Sequence, residues 1–248
     1  MATLSQPSSR AEVINVAGCP TLAPSVNPAV DLRVVPLTVI EGRLQVGLLG
    51  FPDRHLPGGI PTADRTLDAE ARRVVREAAG LSERYLEQLF TLSVEGERGW
   101  TVIVSYLALI DPGDSEESAP ASSWFDVGEP GLLADDDQKV LDYATVRLRA
   151  KIGYSNIAFH LLPLTFTLRE LQTAYEAILG HPLDKRNFRR RVIAAELIEA
   201  TGSKRRDGSH RPALLYRFRA DHDPATYLTP TWGNEGGGDA NEPNEDGV

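Results

Sequence analysis

The stretch from Thr167 to Arg190 constrains this chain more tightly than any other. Thr167-Leu168-Arg169-Glu170 is a capping box, in which the threonine oxygen and the glutamate each satisfy an orphan backbone donor at a helix start. Leu168, Leu171, Tyr175 and Ile178 then recur on one helical face, and Gly180 supplies the stop. His181-Pro182-Leu183 leaves only a short link before Asp184, which is placed to cap a second helix, KRNFRRRVIAAEL. In that helix Phe188, Val192 and Ala195 point inward, leaving Lys185, Arg186, Asn187, Arg189 and Arg190 on the outward side. Two helices joined this closely, the second opening on a basic, amide-bearing face, predict a helix-turn-helix presented to a major groove. Arginine and asparagine are also the side chains that read guanine and adenine edges with paired hydrogen bonds.

The residues that follow extend this reading. Leu197 to Thr201, the turn GSKRRDGSHR, and Pro212 to Phe218 predict a strand, a loop and a strand, which together make a wing. Its tip carries Lys204, Arg205, Arg206 and Arg211 for phosphate contacts that position a protein without reading sequence. His210 in that tip is expected in solvent, for no Cys or His cluster surrounds it. Charge agrees: Lys185 to Arg219 holds eleven Lys/Arg against three acids in a protein of net charge −9, while Asp221 to the end has seven acids and no Lys or Arg. One basic block in an acidic chain is the footprint of a polyanion-binding surface. An RNA-binding or protein-interaction module is disfavoured, because no stacking aromatics interleave the basic residues.

Upstream the pattern is mixed. Ala29 to Ile40 and Leu44 to Leu49 predict a hairpin around Glu41-Gly42-Arg43; Tyr85 to Leu92, a buried run WTVIVSYLALI (100–110) and a short Trp124 to Val127 add strands. Asp135-Asp136-Asp137 places negative charge at a helix N-terminus, and Val140, Leu141, Ala144, Leu148 and Ile152 carry that helix forward about four turns. Trp100 and Trp124 are expected in the core or at a domain interface. Residues 1–27 and 221–248 are expected to be disordered tails, and DPGDSEESAPASS (111–123) a loop. The lone Cys19 fits a reducing compartment, and no apolar run approaches the roughly 18 residues of a membrane span, so a cytoplasmic, nucleoid-associated protein is expected.

The stretch PGGIPTADRTLDAEARRVVREAAGL (57–81) is a glycine turn followed by a helix. Gly58 and Gly59 permit a tight turn and close backbone approach, and a helix N-terminus beyond them offers free amides to phosphate. Taken together, LTFTLRELQTAYEAILGHPLDKRNFRRRVIAAELIEATG (164–202) and RPALLYRF (211–218) resemble the winged-helix domain of the Nudix-related transcriptional regulator (NrtR) family. HLPGGI (55–60), YLEQLFTL (85–92), VIVSYLALI (102–110), WFDV (124–127) and AKIGYSNIAFHLLP (150–163) resemble successive blocks of that family's Nudix-like domain.

The resemblance implies an α+β chain. It divides into a tail (1–27), a Nudix-like α/β/α sandwich with a mixed sheet (28–153) closed by a linker helix (136–152), a winged helix-turn-helix (154–220) and an acidic tail (221–248). It implies a homodimeric bacterial repressor of NAD-metabolism genes that binds palindromic operator DNA and senses ADP-ribose or a related nucleotide such as NAD. Thr167 joins the basic residues as a candidate DNA contact, and Gly58, Gly59, Arg73 and Glu77 are the candidate effector contacts. Against the Nudix box, the glycine at 59, Arg73, Val75, Glu77, Gly80 and Leu81 match, but three glutamate positions hold Arg65, Val74 and Ala78. One carboxylate is poor support for Mg²⁺, and Glu70, about 10 Å from Glu77 along the axis, is too far to help. No cofactor, metal ligand or catalytic residue is therefore assigned, against the alternative of an active Mg-dependent ADP-ribose pyrophosphatase with a fused regulatory domain.

Overall fold

A computed structural model of the chain describes residues 28–50, 52–80, 83–96, 99–111, 123–206 and 212–219. The expected tails, most of the 111–123 loop, Leu81, His210 and Arg211 lie outside the described residues.

β1 (Ala29–Ile40) and β2 (Arg43–Leu48) form the expected hairpin, pairing Leu37 with Val46 and Ile40 with Arg43, with Glu41 and Gly42 both at positive φ in its turn. β3 (Gly58–Gly59) pairs with the start of β1, and α1 (Leu67–Ala79) follows. β4 (Tyr85–Gly96) and β5 (Gly99–Leu109) pair antiparallel, and β5 runs parallel to β1 over nine residue pairs from Ala29–Thr101 to Leu37–Leu109. β6 (Ser123–Asp126) completes a sheet of order β4-β5-β1-β2-β6. The sheet is mixed, as the sequence predicts.

Alternation along β1 and β5 fixes the two faces. Leu32, Val34, Val104, Tyr106, Ala108 and Ile110 pack with Ala71, Val74 and Val75 of α1. Val35, Leu37, Leu107 and Leu109 pack on the other side with Val140, Leu141, Ala144 and Leu148 of α2 (Asp135–Lys151). This is an α/β/α sandwich. Trp124 packs at the edge of the first cluster, but Trp100 is exposed, contrary to expectation: it sits at the start of β5 beside the β4–β5 turn, beyond the layer that α1 covers.

After a 3₁₀ turn (Ile157–Leu161) come α3 (Leu168–Leu179), α4 (Lys185–Ala194), β7 (Ile198–Arg205) and β8 (Ala213–Phe218). The capping box at Thr167 is formed, with the Thr167 side chain accepting from the Glu170 amide and Glu170 accepting from the Thr167 amide at 2.7 Å. Asp184 caps α4 through the Asn187 amide at 2.8 Å. Glu176 braces the link by accepting from the Leu183 amide at 2.8 Å. Tyr175 meets Phe188 edge-on at 5.4 Å, closing the helix pair.

Two features of the wing differ from expectation. β7 continues to Arg205, because Gly202 at φ +78° absorbs an irregularity in its pairing with β8 between Ala200 and Lys204. Phe166 also exchanges two backbone hydrogen bonds with Tyr216, at 2.9 and 2.7 Å, adding a one-residue third strand to the wing. The hydrophobic cluster beneath α2 runs without a break into this second unit: α3 packs on β2 and α2, and Leu171, Tyr175, Ile178, Phe188 and Val192 belong to the same core as Val46 and Leu148. No described helix is long and apolar enough to cross a membrane.

Candidate DNA interface and nucleotide pocket

On α4, Lys185, Arg186 and Arg190 are exposed and Asn187 is half-buried, and among the described residues none of the three cations is paired with a carboxylate. An unpaired cation on a helix surface leaves its charge available to a polyanion. Arg189 departs from the outward position expected of it. Lying one residue after the buried Phe188 and three before the buried Val192, it turns toward the start of α3 and toward β8, where its Nε is withdrawn from solvent. In the wing, Lys204 and Arg206 are exposed. Arg205 belongs to the strand rather than the tip and is ion-paired with Glu170, so the capping-box glutamate also holds the wing to α3. Thr167 is buried, its hydroxyl occupied by the cap.

The PGG segment is organised differently from expectation. The backbone that approaches Gly58 is that of β1: a Cβ at Gly58 would lie 2.0 Å from the Leu32 carbonyl, while Gly59, at φ +150°, has open space beside it. The start of α1 is not free for phosphate in the way the sequence suggests. Thr66 caps it by accepting from the Ala69 amide at 3.2 Å, and Asp68 and Glu70 stand in its first turn.

Farther along α1, Arg73 sits between two carboxylates. It bonds Glu70 through Nη2 at 2.5 Å and through Nε, and it pairs with the exposed Glu77 through Nη1. Glu70 and Glu77 do therefore share one cation, but that cation is a guanidinium. Being two turns apart they lie on one face, and the broad guanidinium of Arg73 spans the gap that a single ion would not. Arg73 holds the Glu70 carboxyl below its ordinary range against the opposing effect of burial, and Glu70, then Glu77, raises Arg73. Arg65 adds a second positive charge 3.8 Å from Glu70. Val74 and Ala78 are buried. The oxygen donors here are committed to arginine and the neighbouring positions are apolar, so the residues do not fit Mg²⁺. Among the described residues, no group of three or more His, Cys, Asp or Glu side chains is placed to hold a metal ion.

α2 (Asp135–Lys151) is tied to the rest of the chain at both ends. Asp137 is buried at the start of α2 and accepts from the Leu56 amide at 2.8 Å and from Arg33 Nε at 3.1 Å, so the residue read from sequence as a dipole partner is a structural anchor for the loop before Gly58. At the other end of α2, Glu87 of β4 receives Arg147 at 2.8 Å and Lys151 at 2.9 Å, and Lys151 also donates to the Tyr85 hydroxyl at 2.6 Å. Burial works against ionisation of Glu87, but hydrogen bonds from Arg147, Lys151 and Tyr85 outweigh it and keep the carboxyl below its ordinary range. α2 then reaches the helix-turn-helix directly, Arg149 Nε donating to the Ile178 carbonyl at 3.0 Å.

A mixed-sheet sandwich sharing its core with a capped, basic helix-turn-helix and wing defines a class: an α/β domain carrying a winged-helix head. Residues 158–218 match the model of the NrtR DNA-binding winged helix domain. The ADPR responsive transcriptional repressor NtrR of Acinetobacter baylyi is 37% identical over 211 residues, covering 79% of this chain and 83% of the relative. The chain belongs to the NrtR family of transcriptional regulators. Shewanella oneidensis NrtR, solved with a 27mer DNA, is 31% identical with a TM-score of 0.69, over 81% of this chain and 97% of that one. A MutT/nudix family protein from Enterococcus faecalis, 23% identical with a TM-score of 0.61 over 77% of this chain and 88% of that one, shares the fold.

Proposed function

We propose that this chain is a DNA-binding transcriptional repressor of NAD biosynthesis or salvage genes, acting as a homodimer on a palindromic operator. Its operator affinity is set by ADP-ribose or a related NAD-derived nucleotide bound in the Nudix-like unit near Gly58, Gly59, Arg73 and Glu77. The observation that carries this reading is the α2 connection: one helix is anchored by Asp137 to the loop before Gly58 and by Arg149 to the end of α3. A ligand that shifts the first contact therefore biases the placement of the second. The A. baylyi relative's ADPR-responsive repression and the S. oneidensis complex with DNA support it. DNA contacts are assigned to Lys185, Arg186, Asn187, Arg190, Lys204, Arg206 and Arg211, and the Nudix-like unit is assigned binding without efficient hydrolysis, since Arg73 neutralises the carboxylates a metal would need.

The test is fluorescence anisotropy at fixed salt with a duplex selected by the full chain from a randomised pool. ADP-ribose or NAD is expected to change its affinity at submillimolar concentration; unchanged binding through millimolar ligand overturns the coupling. Turnover of ADP-ribose near 1 s⁻¹ or above with Mg²⁺ or Mn²⁺ lies in the ordinary enzyme range and would restore the pyrophosphatase alternative.

A further inference from the structure

We infer that Arg169 and Arg189 form a clamp for one phosphate of the DNA backbone, in a pocket between the start of α3, α4 and β8. The inference rests on the DNA-binding role of the winged helix. The pocket, about 250 Å³, is lined by both arginines together with Thr167, Leu168, Leu214 and Tyr216. Among the described residues neither guanidinium is paired with a carboxylate, although Glu170 lies next along the chain from Arg169. Glu170 is already committed, through one oxygen to Arg205 and through the other to the Thr167 amide. Two like charges lining one small, partly apolar pocket repel each other unless an anion stands between them. Arg189 adds a donor that demands a partner: its Nε is removed from water and makes no hydrogen bond, an arrangement that costs about as much as a hydrogen bond is worth until an acceptor arrives.

The site suits a phosphate diester better than a free nucleotide. A guanidinium pair offers several N–H donors in a planar fork that matches phosphate oxygens, while Leu168, Ala213 and Leu214 provide no polar complement for a sugar or a base edge. Further exposed cations stand on α4 (Lys185, Arg186 and Arg190) and on the wing (Lys204 and Arg206), so the positive field is not confined to the pocket, as binding of a polyanion requires. Arg189 is thereby moved from base reading to backbone contact, and Arg169 becomes a contact residue that its place in a capping box conceals.

The two roles separate experimentally, because phosphate contacts weaken all duplexes alike and base contacts do not. Arg169→Gln and Arg189→Gln in the full chain, with Arg189→Lys as the charge-preserving partner, are titrated by anisotropy against the selected duplex and a scrambled one from 50 to 300 mM KCl. Each Gln variant is expected to bind both duplexes about five- to twentyfold more weakly, and to reduce the slope of log K against log salt by about 0.9. Arg189→Lys is expected to retain the slope. ADP-ribose affinity is expected to stay at the parental value. Loss confined to the selected duplex would make Arg189 a base reader and overturn the clamp, as would unchanged binding to both duplexes. Arg169 is exposed, so its substitution tests the pocket even where Arg189→Gln lowers the melting temperature. A parent chain that fails to distinguish the two duplexes counts against the operator reading, while the salt slopes still decide the clamp.

Discussion

Removing the Asp137 carboxylate is expected to loosen the segment before Gly58 more than any single change on the exposed face of α2. In Asp137→Ala the Leu56 amide, buried and now 2.8 Å from nothing that accepts, loses its partner. An orphaned buried donor costs about 1–3 kcal/mol. The Arg33 bond at 3.1 Å is lost as well, but Arg33 keeps Asp31 at 2.7 Å and the Leu32 carbonyl at 3.0 Å, so this part adds about 1 kcal/mol or less. Asp135 and Asp136 still complement the helix dipole. The total is about 1–4 kcal/mol, or a fall in melting temperature of roughly 2–16 °C at about 2–4 °C per kcal/mol for a chain of this size. Asp137→Asn keeps one acceptor oxygen but turns an amide donor toward a donor, and is expected to cost about half as much. The assay is paired urea and thermal unfolding of parent and both variants, together with ADP-ribose binding by calorimetry, in which the alanine variant is expected to bind more weakly. An alanine variant melting within 2 °C of the parent, at an unchanged urea midpoint and m value, would refute the assignment of Asp137 as an anchor.

Other expectations are as direct. Gly58→Ala forces a Cβ to within 2.0 Å of the Leu32 carbonyl, so urea unfolding should show a loss of about 2 kcal/mol or more; Gly59→Ala meets open space and carries only the strain of φ +150°, about 1–2 kcal/mol. Arg190→Ala is expected to lower affinity for the selected duplex by about 1–3 kcal/mol and to relax base preference, where equal losses on scrambled DNA would make it a backbone contact instead. Glu87 is a carboxylate depressed in the folded state, so its contribution is complete above the unfolded value near 4.3 and disappears as pH falls through the lower folded value. Glu87→Gln should therefore cost about 1–2 kcal/mol at pH 7, with parent and variant converging in acid; a gap that persists below the carboxylate range would mean that packing, not charge, is responsible.

Local signals were the legible ones. The capping box at Thr167, the Gly180 stop and the Asp184 cap are decided within four residues, and all three stand as read. Runs rich in β-branched residues identified β1 and β5 as strands, but not that the two run parallel, a pairing between residues about seventy apart in the chain. Phe166 was invisible as a strand because one residue carries no period, and its pairing with Tyr216 depends on the fold already being in place. The α1 charges misled for a related reason: rise per residue separates Glu70 from Glu77, whereas long side chains converge on Arg73 between them. Gly58 was read correctly as a site of close approach, but sequence does not say that β1, rather than a ligand, makes it. Arg189 looked outward on a helix crowded with arginines; its i, i+3 relation to Val192 was the available signal that it faces the body of the domain.

The hydrophobic core that runs unbroken from β2 and α2 into α3 and α4 also decides what happens when the chain is cut. A protease nicking the link between α2 and α3 would release two fragments that each bare the apolar face the other had covered, Val46 and Leu148 on one side and Leu171 and Tyr175 on the other. Such fragments would cohere or precipitate rather than drift apart as soluble modules. Grafting the winged helix onto another domain would therefore require transplanting the matching side of α2 with it.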